Sequence, residues 1–256
     1  MTRVLKLGGR AQSDPLLAPL IREVWDSGPN ALCVVHGGGD EVSAMQRALG
    51  REAAFVGGRR VTSQSDLELL RMVLSGVVNK RLVSTLVAAD VPAVGISGED
   101  AALIGADFID RAVLGYAGRP VSINKDLLLA LMNSGYLPVI SPVAFNVEPG
   151  VAGALNVNGD DAAAAIAGAI GASELMFIVD VEGVLDADNQ VVGNLTLDQA
   201  REMVATGTAA AGMAAKLESA EAALVNGVSS VRICPLRGIT DSQCGTSLTQ
   251  SQSVAI

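Results

Sequence analysis

Histidine, cysteine and aromatic side chains are scarce in this chain of 256 residues. It contains one histidine and three cysteines, and aromatic residues make up 3% of it. No two cysteines have CxxC spacing, which argues against a zinc site or a disulfide framework and suits a reducing compartment. With His36 as the single histidine and no serine elbow, the sequence also disfavours a hydrolase triad.

Long apolar runs and excess positive charge are also missing. No stretch approaches the ~18 uncharged apolar residues that would span a bilayer, and the N-terminal residues lack the apolar region of a signal peptide. The formal net charge is −9, which makes nucleic acid and anionic membranes poor partners. We therefore expect a soluble, cytoplasmic protein that binds any anionic ligand through a local cluster of cations and backbone N–H groups.

What the sequence does contain is a regular alternation of β-branched runs with helical patterns, which predicts an α/β fold with a largely parallel sheet. Residues 4–7 form the first predicted strand, which ends in Gly8-Gly9. Residues 31–35 form the second, which runs into His36-Gly37-Gly38-Gly39. Half of the residues are apolar, enough for a large core, and no polar linker interrupts the chain near residue 150. We predict one domain over 1–256, with an N-terminal lobe of about 1–150 and a C-terminal lobe of about 151–256.

Several other segments carry clear patterns. Residues 56–62 predict a β-hairpin because paired glycines lie among β-formers. Residues 65–90 predict a helix broken near Gly76, and its first half is apolar on more than one face, which suggests a subunit interface. A strand over 136–141 is expected to end at Pro142, whereas the polar tail beyond Gly238 has no clear pattern.

The two glycine turns lie where a strand meets a helix, so their N–H groups and the helix N-terminus can together hold an anion. Each turn alone is a weak signal, and a plain tight turn fits equally well. Neither GxxxxGK[ST] nor GxGxxG occurs. A kinase that acts on a carboxylate fits the scarcity of histidine, because an ionised carboxylate needs no general base. It needs positioning and positive charge on the phosphoryl oxygens.

The order of motifs along the chain resembles the amino acid kinase superfamily, and within it the kinases that act on N-acetylated glutamate. The resemblance spans essentially the whole chain and rests on Lys-Leu-Gly-Gly at 6–9, His-Gly-Gly-Gly at 36–39, Arg-Val-Thr at 60–62, the run at 72–80, Asn-Val-Asn-Gly-Asp at 156–160 and Gly-Met-Ala-Ala-Lys at 212–216. It implies a three-layer αβα sandwich with a central, mainly parallel open sheet. The implied reaction is ATP-dependent phosphorylation of the γ-carboxylate of N-acetyl-L-glutamate in arginine biosynthesis. Mg²⁺ would arrive with the nucleotide, and no protein residue is assigned as a metal ligand.

The resemblance also implies catalytic roles. Lys6 and Lys216 would stabilise the transition-state charge, and Asp160 would orient both. The residues alone suggest plainer roles. Lys6 could be a charged residue at the end of a strand, Lys216 a solvent-exposed charge on a helix, and Asp160 the N-cap of a helix.

Binding roles follow in the same way. Arg60 and Asn156 would contact the substrate, although Arg60 also fits a surface charge on a hairpin. Gly38 and Gly39 would touch the substrate, and Gly8 and Gly9 would hold the nucleotide phosphates. The remaining nucleotide contacts would come from two loops, Asp180, Val181, Glu182, Gly183, Val184 and Leu185 in one, and Thr208, Ala209, Ala210 and Gly212 in the other.

Two alternatives stay open. One is a kinase that phosphorylates aminoadipate attached to an acidic carrier protein, which the sequence at 78–83 also resembles. A protein with a net charge of −9 is a poor partner for an acidic carrier. The other is a non-catalytic nucleotide or amino acid sensor on the same fold. We expect a homodimer formed through the helix near 65–76. In the family that the chain resembles, the members inhibited by arginine carry an extra helix ahead of the first strand. The first predicted strand here begins at about Arg3, so the resemblance implies that arginine does not inhibit this protein.

Overall fold

The fold alternates strands and helices along most of the chain, and the computed structural model describes residues 1–209 and 211–250. The strands are β1 Arg3–Leu7, β2 Leu32–His36, β3 Phe55–Val56, β4 Arg59–Arg60, β5 Ala93–Gly98, β6 Ile104–Phe108, β7 Ala117–Ile123, β8 Leu137–Asn146, β9 Ala154–Val157, β10 Glu174–Ile178, β11 Asn194–Thr196, β12 Ser230–Cys234 and β13 Thr246–Thr249. The helices are α1 Leu17–Ser27, α2 Gly39–Ala48, α3 Gln64–Leu70, α4 Asn79–Ala88, α5 Arg111–Leu114, α6 Lys125–Asn133, α7 Gly159–Ala169, α8 Leu197–Ala205 and α9 Ala211–Val225. A π-helical segment, Arg71–Val78, joins α3 to α4.

The central feature is an 11-stranded sheet in which β10, β1, β2 and β8 lie side by side and parallel. β12 extends this parallel core on one side, and β5 pairs in parallel with β8 on the other. Antiparallel pairs occur toward the edges, between β12 and β13, β6 and β7, and β8 and β9. The predicted three-layer sandwich with a mainly parallel open sheet is confirmed.

Helices cover both faces of the sheet because successive side chains of each central strand point to opposite sides. In β1, Val4 packs in the core beside α7 and α9, whereas Leu5 and Leu7 pack in the core beside α1. These strands are buried on both faces, which explains why they are nearly continuous apolar runs.

The parallel register brings the ends of three strands to one edge of the sheet. Leu7, the last residue of β1, is in register with His36 of β2 and with Ile178 of β10. The two glycine turns and the loop after β10 therefore meet at the carboxyl edge, where open α/β sheets bind ligands.

Two local predictions were wrong, and the tail, which has no clear pattern in the sequence, forms a strand. The helix near Gly76 is not broken, since Arg71–Val78 continues it in π form. β8 does not end at Pro142 but runs on to Asn146, because its pairing with β5 shifts register there and a bulge tolerates the missing N–H of proline. The tail contributes β13, which pairs with β12 and β11.

Within the described ranges, we find no helix long and apolar enough to cross a membrane.

Candidate active site

Two lysines from distant parts of the chain meet at one buried carboxylate. The Nζ of Lys6, near the end of β1, lies 2.7 Å from Oδ1 of Asp160. The Nζ of Lys216, on α9, lies 3.2 Å from Oδ2 of the same carboxylate. Asp160 is 4% exposed and lies in the first turn of α7. It is not the N-cap that the residues alone suggested: the N-cap is Asn158, whose Oδ1 accepts a hydrogen bond from the backbone N–H of Asp160. Asp160 therefore holds both ammonium groups at one place on the sheet edge.

The charge state of Asp160 follows from this geometry. Burial by itself would raise its pKa, but the charges of Lys6 and Lys216 and the hydrogen bonds from them lower the pKa below its usual range. Two ammonium groups share one carboxylate, so the cluster carries a net positive charge. Such a charge suits phosphoryl oxygens.

The glycine turns surround this cluster. The N–H of Gly8 donates to the carbonyl of Ile178 at 3.1 Å and so is already used. The N–H groups of Gly9, Gly38 and Gly39 make no hydrogen bond within the described part of the chain. Gly38 has φ +152°, and a Cβ there would lie 2.7 Å from Cδ2 of Leu74, so only glycine fits.

Arg60 lies in a cleft of about 270 Å³ that Lys6 also lines. Its guanidinium donates to Oε1 of Gln46 at 2.6 Å, to the hydroxyl of Ser43 at 2.8 Å and to the carbonyl of Gly39 at 3.0 Å. It lies over the ring of Phe55. No carboxylate of the described residues forms a direct salt bridge with Arg60, and Asp66 and Asp40 act on its charge only at longer range. We call this space the acceptor cleft.

Asn156, on β9, lies on the wall of the acceptor cleft. Its side-chain N–H donates to the hydroxyl of Thr62 at 3.0 Å, and that hydroxyl in turn donates to the carbonyl of Arg60 at 3.1 Å. Asn156 and the Arg60 hairpin are thus linked.

A second cleft, of about 560 Å³, opens on the other side of Asp160 and is lined by Lys216. We call it the nucleotide cleft. The predicted residues that line it are Gly8, Asp180, Val181, Gly183, Leu185, Thr208, Ala209 and Gly212. Gly9 instead lines the acceptor cleft, and Ala210 lies outside the described residues.

Besides Gly9, two more of the predicted nucleotide residues do not line this cleft. Glu182 pairs with Arg237 on the protein surface. Val184 is 1% exposed and belongs to the apolar core. The sequence did not indicate which side chains of this loop face the cleft and which face the surface or the core.

Two arginines that the motifs did not single out also lie in the clefts. Arg59 lines the acceptor cleft and donates to Asp161 at 2.6 Å. Arg10 lines the nucleotide cleft and lies 3.4 Å from Asp180. The only sequence signal for them was their position next to Arg60 and Gly9.

His36 has a structural environment rather than a catalytic one. It is fully buried, its Nδ1–H donates to the carbonyl of Gly37 at 2.8 Å, and its Nε2 accepts from the Asn79 amide at 3.1 Å. Burial lowers its pKa to about 4, so the ring is neutral at neutral pH. It stabilises the second glycine turn.

Paired lysines, an anion-binding turn and two adjoining clefts define a phosphotransferase of small molecules. A sequence model of the amino acid kinase family matches residues 1–235, and the chain belongs to that family. It is similar to the acetylglutamate kinase of Cereibacter sphaeroides, with 43% identity over 245 residues that cover 94% of this chain and 82% of that protein. The acetylglutamate kinase of Chloroflexus aurantiacus is 39% identical over 251 residues, which cover 97% of each chain.

Among solved structures, a Streptococcus mutans protein has a TM-score of 0.86 at 28% identity. The alignment covers 97% of this chain and 98% of that one. The resemblance inferred from the motifs is confirmed.

Proposed function

We propose that the protein transfers the γ-phosphoryl group of ATP to the side-chain carboxylate of N-acetyl-L-glutamate, a step of arginine biosynthesis. The observation that carries this proposal is the convergence of Lys6 and Lys216 on Asp160, at the boundary of the two clefts. The similarity to acetylglutamate kinases over nearly the whole chain supports the choice of substrate.

The acceptor cleft suits a small acid with more than one carboxylate. The guanidinium of Arg60 keeps its Nε–H and one Nη1–H to donate to a carboxylate of the acceptor, because its other N–H groups already donate to Gln46, Ser43 and Gly39. The side-chain carbonyl oxygen of Asn156 would accept a hydrogen bond from the N–H of the acceptor's acylated amide. The acceptor's other carboxylate would then point toward Lys6 and the glycine turns.

The nucleotide cleft is the larger of the two and would hold the adenosine portion of ATP. Mg²⁺, which phosphoryl transfer generally requires, would come with the nucleotide and neutralise its phosphates. The N–H groups of Gly9, Gly38 and Gly39 would contact oxygens of the transferring group.

Transfer then needs little from the protein beyond position and charge. A carboxylate oxygen of the acceptor bonds to the γ-phosphorus as the bond to the ADP oxygen breaks. We assign to Lys6 the charge that develops on the phosphoryl group near the acceptor, and to Lys216 the charge on the departing oxygen. Asp160 keeps both ammonium groups oriented.

Coupled ADP release separates the possible substrates. Purified protein with ATP and Mg²⁺ is assayed with N-acetylglutamate, glutamate, aspartate and N-acetylaminoadipate at equal concentrations. We expect the highest kcat/KM for N-acetylglutamate. ATP binding without acceptor-dependent ADP release would favour a sensor. A preference for N-acetylaminoadipate would favour the alternative of an aminoadipate kinase.

We also propose a homodimer with the helix near 65–76 at its interface. Met72 and Val77 are more than half exposed on a helical segment whose other apolar residues are buried. The expected cytoplasmic location and insensitivity to arginine remain predictions.

A further inference from the structure

Gln12 lies on the short helical turn Arg10–Ser13, directly after the first glycine turn. It is 8% exposed. Its Nε2 donates to the carbonyl oxygen of Gly8 at 3.3 Å and to that of Gly37 at 3.2 Å. The two acceptors belong to different turns, one after β1 and one after β2, so a single amide joins them.

The partners fix which way the Gln12 amide faces. In the reverse orientation Oε1 would lie against two carbonyl oxygens and be repelled, so the nitrogen must face them. Oε1 is buried and accepts no hydrogen bond from the residues described. An apolar side chain of similar size would avoid burying this unpaired acceptor. What distinguishes glutamine at this position is therefore its contact with both turns.

The contact sets the direction of two N–H groups. In a trans peptide the C=O of one residue and the N–H of the next point in opposite directions, and the described residues contain no cis peptide. Because the Gly8 carbonyl faces Gln12, the N–H of Gly9 points away from Gln12. The same holds for the Gly37 carbonyl and the N–H of Gly38. Gly9 and Gly38 both line the acceptor cleft beside Lys6.

We propose that Gln12 is a positioning residue that holds the N–H groups of Gly9 and Gly38 ready for the transferring phosphoryl group. This inference rests on the proposed phosphotransfer. N–H groups oriented before the reaction stabilise developing charge without having to reorganise. Glycine peptides lack a Cβ and rotate easily, so these turns need an external restraint. The carbonyl oxygen of Gly37 also accepts a hydrogen bond from Nδ1–H of His36. Loss of the Gln12 amide should therefore disturb the Gly8–Gly9 peptide more than the Gly37–Gly38 peptide.

The test compares Gln12→Met, which keeps the size and removes the donor, with a matched control. Asn146 is also a buried amide that donates to a backbone carbonyl, that of Val151, but it lines neither cleft. Asn146→Leu should lose stability and keep the wild-type kcat. We expect Gln12→Met to lower kcat about ten- to hundredfold, with the KM for N-acetylglutamate changed less than about threefold.

A binding measurement gives a readout that needs no turnover. We expect calorimetry to show that Gln12→Met weakens ATP binding about fivefold or more relative to ADP, because the γ-phosphoryl group is the one that meets these N–H groups. If Gln12→Met does not fold, Gln12→Asn keeps the amide but is too short to reach both carbonyls, and the same changes are expected. A kcat or an ATP-to-ADP affinity ratio equal to that of wild type overturns the proposal. A wild-type protein that releases no ADP would instead refute the proposed function, while the binding comparison would still test Gln12.

Discussion

At the scale of single residues, Arg60 is a buried cation that no described carboxylate contacts directly, since Asp66 and Asp40 act on it only at longer range. It is 9% exposed and contacts an amide, a hydroxyl and a carbonyl oxygen, with no carboxylate partner in the described ranges. Burying a cation in this way lowers stability unless an anion arrives. A carboxylate of the acceptor is the natural partner.

We expect Arg60→Lys to raise the KM for N-acetylglutamate about ten- to a hundredfold, since a hydrogen bond between charged groups contributes ~1.5–3 kcal/mol and lysine lacks the planar guanidinium. The kcat should change less. Lys216→Met serves as the contrasting variant, because it should lower kcat strongly and leave that KM nearly unchanged. Steady-state kinetics with both substrates measure this split. An unchanged KM in Arg60→Lys would remove Arg60 from the substrate site.

His36 predicts how stability depends on pH. Burial lowers its pKa from 6.5 to about 4, so between these values the unfolded chain binds a proton that the folded protein does not. Stability from neutral His36 is complete above pH 6.5 and falls as the pH drops toward 4, by about 3 kcal/mol in all. Urea unfolding at pH 7 and pH 5 should show the decline, and His36→Gln should show a smaller one. Equal slopes in the two proteins would contradict this assignment.

At the scale of secondary-structure elements, the β3–β4 hairpin is tied to the helices that carry the catalytic cluster. Arg59 donates to Asp161 of α7 at 2.6 Å, and Asp161 also accepts from the hydroxyl of Ser219 at 2.9 Å. Ser219 lies on α9 three residues after Lys216. The hairpin that presents Arg60 is therefore connected to the helix that presents Lys216.

A double-mutant cycle of Arg59→Met and Asp161→Asn tests this connection. We expect a coupling free energy of about 1 kcal/mol in urea unfolding, since the pair is partly shielded from water. Arg59→Met should also raise the KM for N-acetylglutamate a few-fold as the hairpin loosens. Effects that add within ~0.4 kcal/mol would show that the two residues act independently.

At the scale of the whole molecule, the exposed apolar residues Met72 and Val77 predict self-association. Light scattering of the wild type should give the mass of a dimer, and Met72→Lys with Val77→Lys should give a monomer with an unchanged circular dichroism spectrum. Val225→Lys is the control, because Val225 is also exposed but lies at the end of α9. A hexamer, or a monomeric wild type, would contradict the proposed interface.

The alternation of strands and helices was predictable because it depends on local patterns, and β1 and β2 were found within one residue of the predicted bounds. Errors occurred where a neighbour overrode the local signal. Pro142 stays within β8 because pairing with β5 supplies a bulge. Gly76 stays within a helix because its segment winds in π form and packs against the sheet.

The sequence by itself determined the chemistry available to this protein: lysines, one histidine, and glycine turns after two strands. It could also place Asp160 at the start of a helix. Only the tertiary structure decided that Lys6 and Lys216 meet at Asp160, that Glu182 and Val184 turn away from the nucleotide cleft, and that Gln12 joins two turns. The reason is physical: local patterns fix which way a strand or turn can run, whereas contacts between distant residues depend on how the whole sheet packs.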